Sequence, residues 1–212
     1  MFKRSIKIRR PDRLIAISKE SYEFGKNLLK MSDEKIDIIH HGVSNRFSVP
    51  TDGTKLKELK VRLGISDGKI ILGLVGRIEK LKGHDIMVNA LKDLNPDTKE
   101  KIHFIFLGGN QAEKSFKWLE NLVKEAEIQS FVSIIPFQDP KPFYDIMDIF
   151  ILPSRTEAFP LVVIEAMMSG CCIVRSNVQG AYEQIEVGYN GFVFQNENNF
   201  HSYLYCSAVT YE

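Results

Sequence analysis

Two stretches of the sequence gather the groups needed to hold an anion and a polyol side by side. In Val75-Gly76-Arg77-Ile78-Glu79-Lys80-Leu81-Lys82-Gly83, an apolar run ends at Gly76, and Arg77 and Lys82 follow before Gly83. A guanidinium and an ammonium beside the start of a helix suit a phosphate or diphosphate. A solvated basic loop has the same composition, so this stretch alone leaves both readings open. The second stretch, PSRTEAFPLVVIEA from Pro153 to Ala166, carries Glu157 in a loop and Glu165 about one turn inside a helix. That helix is expected to start near Leu161 and to stop at Gly170, a residue type favoured just past helix ends. Both carboxylates could face one crevice and accept hydrogen bonds from sugar hydroxyls, while the first helical amides meet phosphate. Surface charges flanking a helix start would look the same. His84, next to Gly83, is expected to be a solvent-exposed first-turn residue.

The elements that must position these groups are read from the apolar runs. These are Leu14–Ile17, Ile36–Ile39, Ile70–Val75, Ile102–Leu107, Phe131–Ile135, Ile149–Leu152, Cys171–Val174 and Gly191–Phe194. Most are short and rich in Ile, Val and Phe, as strands covered on both faces are. Between them, Met87, Ala90, Leu91 and Leu94 recur at helical spacing, as do Phe116, Leu119, Leu122, Val123 and Ala126. Pro142 stands where a further helix begins. The alternation predicts an α/β fold, a Rossmann-like parallel sheet with helices on both faces. Ligands of such sheets bind at the carboxyl ends of the strands, where both stretches lie. A Gly-, Ser-, Asn-, Pro- and Asp-containing break at Gly42–Thr54 separates a short first block from the rest. The expected organisation is a remnant of another lobe with a crossing segment (1–45), a main domain (46–200) and a tail (201–212).

Taken together, the motifs are more specific than either alone. Strand–Gly76-Arg77, then Lys82-Gly83, then PSRTEAFPLVVIEAMMSG, then VQGAYEQIEVGYNGFVF resembles the donor half of the group 1 glycosyltransferases, retaining enzymes of the GT-B fold. IIHHGVSNRF resembles the segment in which those enzymes cross between lobes, and DRLIAISKES the last strand and helix of their first lobe. The resemblance implies that Arg77 and Lys82 bind the diphosphate of a nucleotide sugar and that Glu157 holds hydroxyls of its sugar, with Gly76 beside them. It implies that the backbone at Ala158, Phe159, Pro160 and Leu161 touches sugar and phosphates, that Glu165 accepts from the ribose, and that the backbone near Ile135 and Pro136 lies beside the base. The implied reaction is retaining transfer of a hexose from a UDP-, GDP- or ADP-linked donor to a glycan or lipid-linked saccharide. With most of the first lobe missing, the chain is expected to be a fragment or truncated product that binds donor and transfers nothing alone. A non-catalytic sugar-nucleotide-binding module and a nucleotide-sugar epimerase lobe are the rival readings.

Composition narrows the partners. Lys plus Arg is 28 and Asp plus Glu 27 in 212 residues, a net charge of +1, which gives no bulk attraction for nucleic acid. No apolar run is long enough to span a bilayer, and the basic start lacks the apolar stretch of a secretory signal. Cys171, Cys172 and Cys206 show no zinc spacing and are read as reduced thiols of a cytoplasmic protein. Lys3, Arg4, Lys7, Arg9 and Arg10 could hold the chain to anionic lipid at the cytoplasmic face of a membrane, or simply be solvated. No D-x-D string occurs, so no metal cofactor is expected; fixed cations and a helix dipole would stabilise the leaving diphosphate. No G-x-G-x-x-G follows a strand, which counts against a nicotinamide cofactor.

Overall fold

A computed structural model of the chain describes residues 11–195. The basic start and the expected 201–212 tail lie outside the described residues. The chain forms two compact units that divide between His41 and Gly42.

The first unit holds strand β1 (Leu14–Ala16), helix α1 (Lys19–Asn27) and strand β2 (Ile36–Ile38). The strands pair in parallel, Leu14 opposite Ile36. Ser18 caps α1 by accepting from the Ser21 amide at 3.2 Å. Its core is small: Ala16, Met31 and Ile36.

The second unit carries the sheet. Its elements are α2 (Gly53–Arg62), β3 (Ile70–Val75), α3 (His84–Lys92), α4 (Pro96–Lys101), β4 (Ile102–Leu107), α5 (Lys114–Glu125), β5 (Val132–Ile135), α6 (Lys141–Ile146), β6 (Ile149–Leu152), α7 (Leu161–Met168), β7 (Cys172–Ser176), α8 (Ala181–Gln184) and β8 (Gly191–Phe194). Six strands lie in the order β5-β4-β3-β6-β7-β8, with every neighbouring pair parallel. The order reverses between β3 and β6, the topological switch point at which doubly wound sheets bind ligands.

Strand periodicity explains the two covered faces. Leu72, Leu74, Phe104, Phe106, Ile149 and Ile151 pack with Met87, Ala90 and Leu91 of α3 and Phe116, Leu119 and Val123 of α5. The alternate residues Ile71, Val75, Ile105, Leu107, Phe150 and Leu152 pack with Leu59 of α2, Phe143 and Ile146 of α6, and Val163 and Ala166 of α7. Side chains alternate across a strand, so a continuous apolar run feeds both layers. Each fully buried side chain of this kind contributes about 1.5–3 kcal/mol.

Helices α2, α4 and α8 lie outside the stretches singled out from spacing. Helix α2 begins at Asp52, whose carboxylate accepts from the amides of Thr54 and Lys55 at 3.0 and 3.2 Å. Helix α4 begins at Asn95, which accepts from the Thr98 amide at 2.8 Å, with Pro96 in the first helical position. Its sequence, PDTKEK, has no apolar stripe to read. Strand β7 runs beyond the expected Val174 through Arg175 and Ser176, both buried.

Candidate functional site

The two stretches meet where β3 and β6 end. After Val75 the chain passes Gly76 and Arg77 and winds one 3-10 turn over Lys80–Lys82. It reverses at Gly83, whose φ of 75° lies in the left-handed region, and enters α3. A Cβ at Gly83 would stand 2.0 Å from the Pro153 carbonyl oxygen. Only glycine lets this turn lie against the end of β6. Arg155 fastens the contact: its amide donates to Leu81 O at 2.8 Å, and its guanidinium reaches Lys80 O at 2.6 Å and both Asp85 oxygens at 2.7 and 3.1 Å.

That fastening brings Lys82 to Glu157. Lys82 Nζ lies 2.7 Å from Glu157 Oε1, and Ser154 Oγ donates to the same oxygen at 2.7 Å. The pair is mostly shielded, with side chains 21% and 8% exposed. Arg77 extends into solvent, 83% exposed, with Glu79 3.2 Å away.

A cleft of about 1130 Å³ opens here, over the carboxyl ends of β3, β4 and β6 and the residues after β5. Of the residues expected in the site, it is lined by Gly76, Arg77, Lys82, Pro136 and Glu165. Glu165 projects from α7, whose cap residue Pro160 supplies no side-chain bond to the first amides. Tyr144 of α6 donates its hydroxyl to Glu165 Oε2 at 3.0 Å. Burial raises the Glu165 carboxyl above its ordinary range, against the pull of the Tyr144 bond and the Arg46 charge. Burial and the same carboxylate push the Tyr144 phenol upward, so it remains a protonated donor.

The other expected residues stand off the cleft wall. Glu157 reaches it only through Lys82. Ile135 gives its carbonyl to the Gly108 amide at 2.9 Å, continuing the β4–β5 pairing. Phe159 turns inward and is buried, and Ala158 and Leu161 are exposed beside it. Pro160 is buried, its carbonyl accepting from Gln184 Nε2 at 3.1 Å. His84 is not exposed: its ring is 1% accessible, stacks on Phe106 at 5.6 Å, and approaches Glu79 O through Nδ1 at 3.2 Å. The tight Gly83 turn directs the first helical side chain into the core instead of outward. Burial drops its pKa to about 4, so the ring is neutral at pH 7.

The structure adds wall residues that spacing did not single out: Arg46, the Gly108–Gln111 turn, Phe137 and Val162. The turn had a readable signal, since Gly108-Gly109-Asn110 directly follows a buried strand beside β3. Among the described residues, no group of three His, Cys, Asp or Glu side chains is placed to hold a metal ion. No helix among them is long and apolar enough to cross a membrane.

The chain has counterparts among known proteins. The sequence model of the group 1 glycosyl transferases matches residues 56–203. The chain belongs to that family. A D-inositol 3-phosphate glycosyltransferase of Stackebrandtia nassauensis is 28% identical over 199 residues, covering 88% of this chain and 43% of its own length. The O-antigen biosynthesis glycosyltransferase WclY of Escherichia coli is 29% identical over 168 residues, 79% of this chain and 44% of its own. The chain therefore spans less than half the length of these curated relatives. Anabaena Alr3699/HepE in complex with UDP-glucose superposes with a TM-score of 0.78 at 22% identity, over 92% of this chain and 54% of that one. The fold is thus one lobe of a GT-B glycosyltransferase, as the motifs implied.

Proposed function

We propose that the cleft binds a nucleoside-diphosphate sugar and that this group 1 glycosyl transferase lobe presents it for retaining transfer of a hexose to a glycan or lipid-linked saccharide. The observation that carries the reading is the meeting of Lys82, Arg77 and Glu165 on one cleft at the β3–β6 switch point. Arg77 and Lys82 take the diphosphate, with the first amides of α7 adding the positive end of a helix dipole. Glu165, oriented by Tyr144, accepts from the ribose hydroxyls. Pro136 and its neighbours flank the base. Glu157 lies one hydrogen bond behind Lys82, where it can accept from a hydroxyl of the sugar. As the bond to the sugar breaks, negative charge grows on the leaving diphosphate, and the two cations stabilise it. No metal takes part in this role.

Thermal-shift screening with nucleoside diphosphates, with and without sugar, tests the reading. A ligand at 100 times its dissociation constant adds ~2.7 kcal/mol, which raises the midpoint of a chain this size by roughly 5–10 °C. Excess chelator should leave the shift unchanged. Absence of any shift with uridine, guanosine and adenosine diphosphates contradicts the proposal.

A further inference from the structure

Arg175 on β7 is the largest fully buried side chain among the described residues, with no accessible surface. A buried guanidinium is costly unless a carboxylate compensates it. Its hydrogen bonds do not supply one. One terminal nitrogen donates to the side-chain oxygen of Gln184 and the other to Gln179 O at 3.1 Å, while Nε has no partner among the described residues.

The geometry places this charge beneath the loop that carries Glu157. Arg175 pairs in register with Leu152, the last residue of β6, from which that loop departs. The next residue, Ser176, donates Oγ to Ser154 O at 2.6 Å, and Ser154 Oγ in turn holds Glu157 Oε1. On the other side, Gln184 links Arg175 to the Pro160 carbonyl at the head of α7. Gly180 closes the same pocket of contacts: with φ 69°, a Cβ there would stand 2.6 Å from Ala158 O. Burial lowers the Arg175 pKa to about 10, and the Glu157 carboxylate is the neighbour that opposes the fall.

We infer that Arg175 is the buried counter-ion of Glu157, a positioning residue that lets Lys82 leave Glu157 for the diphosphate of the donor. The inference rests on reading the cleft as a nucleotide-sugar site. Lys82 is bonded to Glu157. Were Lys82 the only cation there, its transfer to a phosphate would strand a carboxylate that is 8% exposed. With Arg175 behind it, Glu157 stays compensated and keeps its direction while Lys82 is exchanged.

Thermal unfolding of single variants tests this without any ligand. Glu157→Gln uncovers the buried guanidinium and should lower the midpoint by roughly 5–10 °C. Lys82→Met leaves Glu157 with the charge of Arg175 behind it and should shift it by less than half as much. Equal shifts, or the reverse order, overturn the inference. Adding Arg175→Met to Glu157→Gln removes the stranded charge and should recover part of the loss; a double variant no more stable than Glu157→Gln overturns it as well. In binding, Arg175→Lys should hold UDP-glucose within about threefold of wild type and Arg175→Met should lose about tenfold, with uridine monophosphate unaffected. Loss of both ligands together in both variants would mean a merely structural role. Wild type that binds neither UDP nor UDP-glucose would refute the nucleotide-sugar reading and leave the stability comparison standing on its own.

Discussion

Replacing Tyr144 with Phe removes one oxygen from the site and nothing else. The ring is fully buried and makes edge contacts with Phe47 at 6.0 Å and Phe150 at 5.8 Å, which Phe can keep. What is lost is the donor to Glu165 Oε2 at 3.0 Å. A hydrogen bond to a charged group is worth about 1.5–3 kcal/mol, and the half-buried setting of Glu165 favours the lower figure. Two effects follow. The carboxylate loses the bond that points it into the cleft, so nucleoside diphosphate should bind roughly tenfold more weakly. The Glu165 pKa, already raised by burial, should rise further, because the lost bond stabilised the charged form. Ribose recognition needs that charged form. Affinity is therefore full above the raised pKa, falls as the pH drops through it, and should begin to fall at higher pH in the variant. Titration calorimetry of UDP across an acid-to-neutral series reads both effects. An unchanged affinity with an unchanged pH midpoint refutes the role assigned to the pair, as does an equal loss for inorganic diphosphate, which has no ribose.

Three further outcomes are expected. Lys82→Ala should weaken UDP about 10–100-fold and uridine hardly at all, with a smaller loss for Arg77→Ala because that side chain is 83% exposed; calorimetry with both ligands checks it. Glu157→Gln, assayed below its unfolding midpoint, should weaken UDP-glucose more than UDP in competition binding, because its carboxylate is assigned to the sugar. His84, with an ordinary pKa of 6.5 and a folded value of about 4, binds a proton in the unfolded chain before the folded one. Its contribution is complete above about pH 6.5 and is lost as the pH falls toward 4, up to about 3 kcal/mol, so denaturant titrations of His84→Phe should show a shallower acid slope over that window.

The sheet was readable because its strands are buried on both faces, so each appears as an unbroken apolar run between helical spacings. That Arg77, Lys82 and Glu165 line one cleft was readable because their positions follow from where those runs end. The rest depends on contacts between distant segments. Tyr144 and Glu165 are 21 residues apart and meet only because α6 packs on α7. Arg175 follows the apolar run Cys171–Val174, and the sheet register that buries it is not visible in the sequence. His84 was misplaced for the converse reason. First-turn residues usually face water, but the Gly83 turn packs so tightly on Pro153 that the ring is driven onto Phe106.

The most direct measurement is a crystal structure of the chain with UDP-glucose. The account predicts the diphosphate on Lys82 and Arg77, the ribose hydroxyls within hydrogen-bond distance of Glu165, and Lys82 drawn away from Glu157 while Glu157 stays over Arg175. A nucleotide bound elsewhere, or one in this cleft whose phosphates touch neither cation, would contradict it.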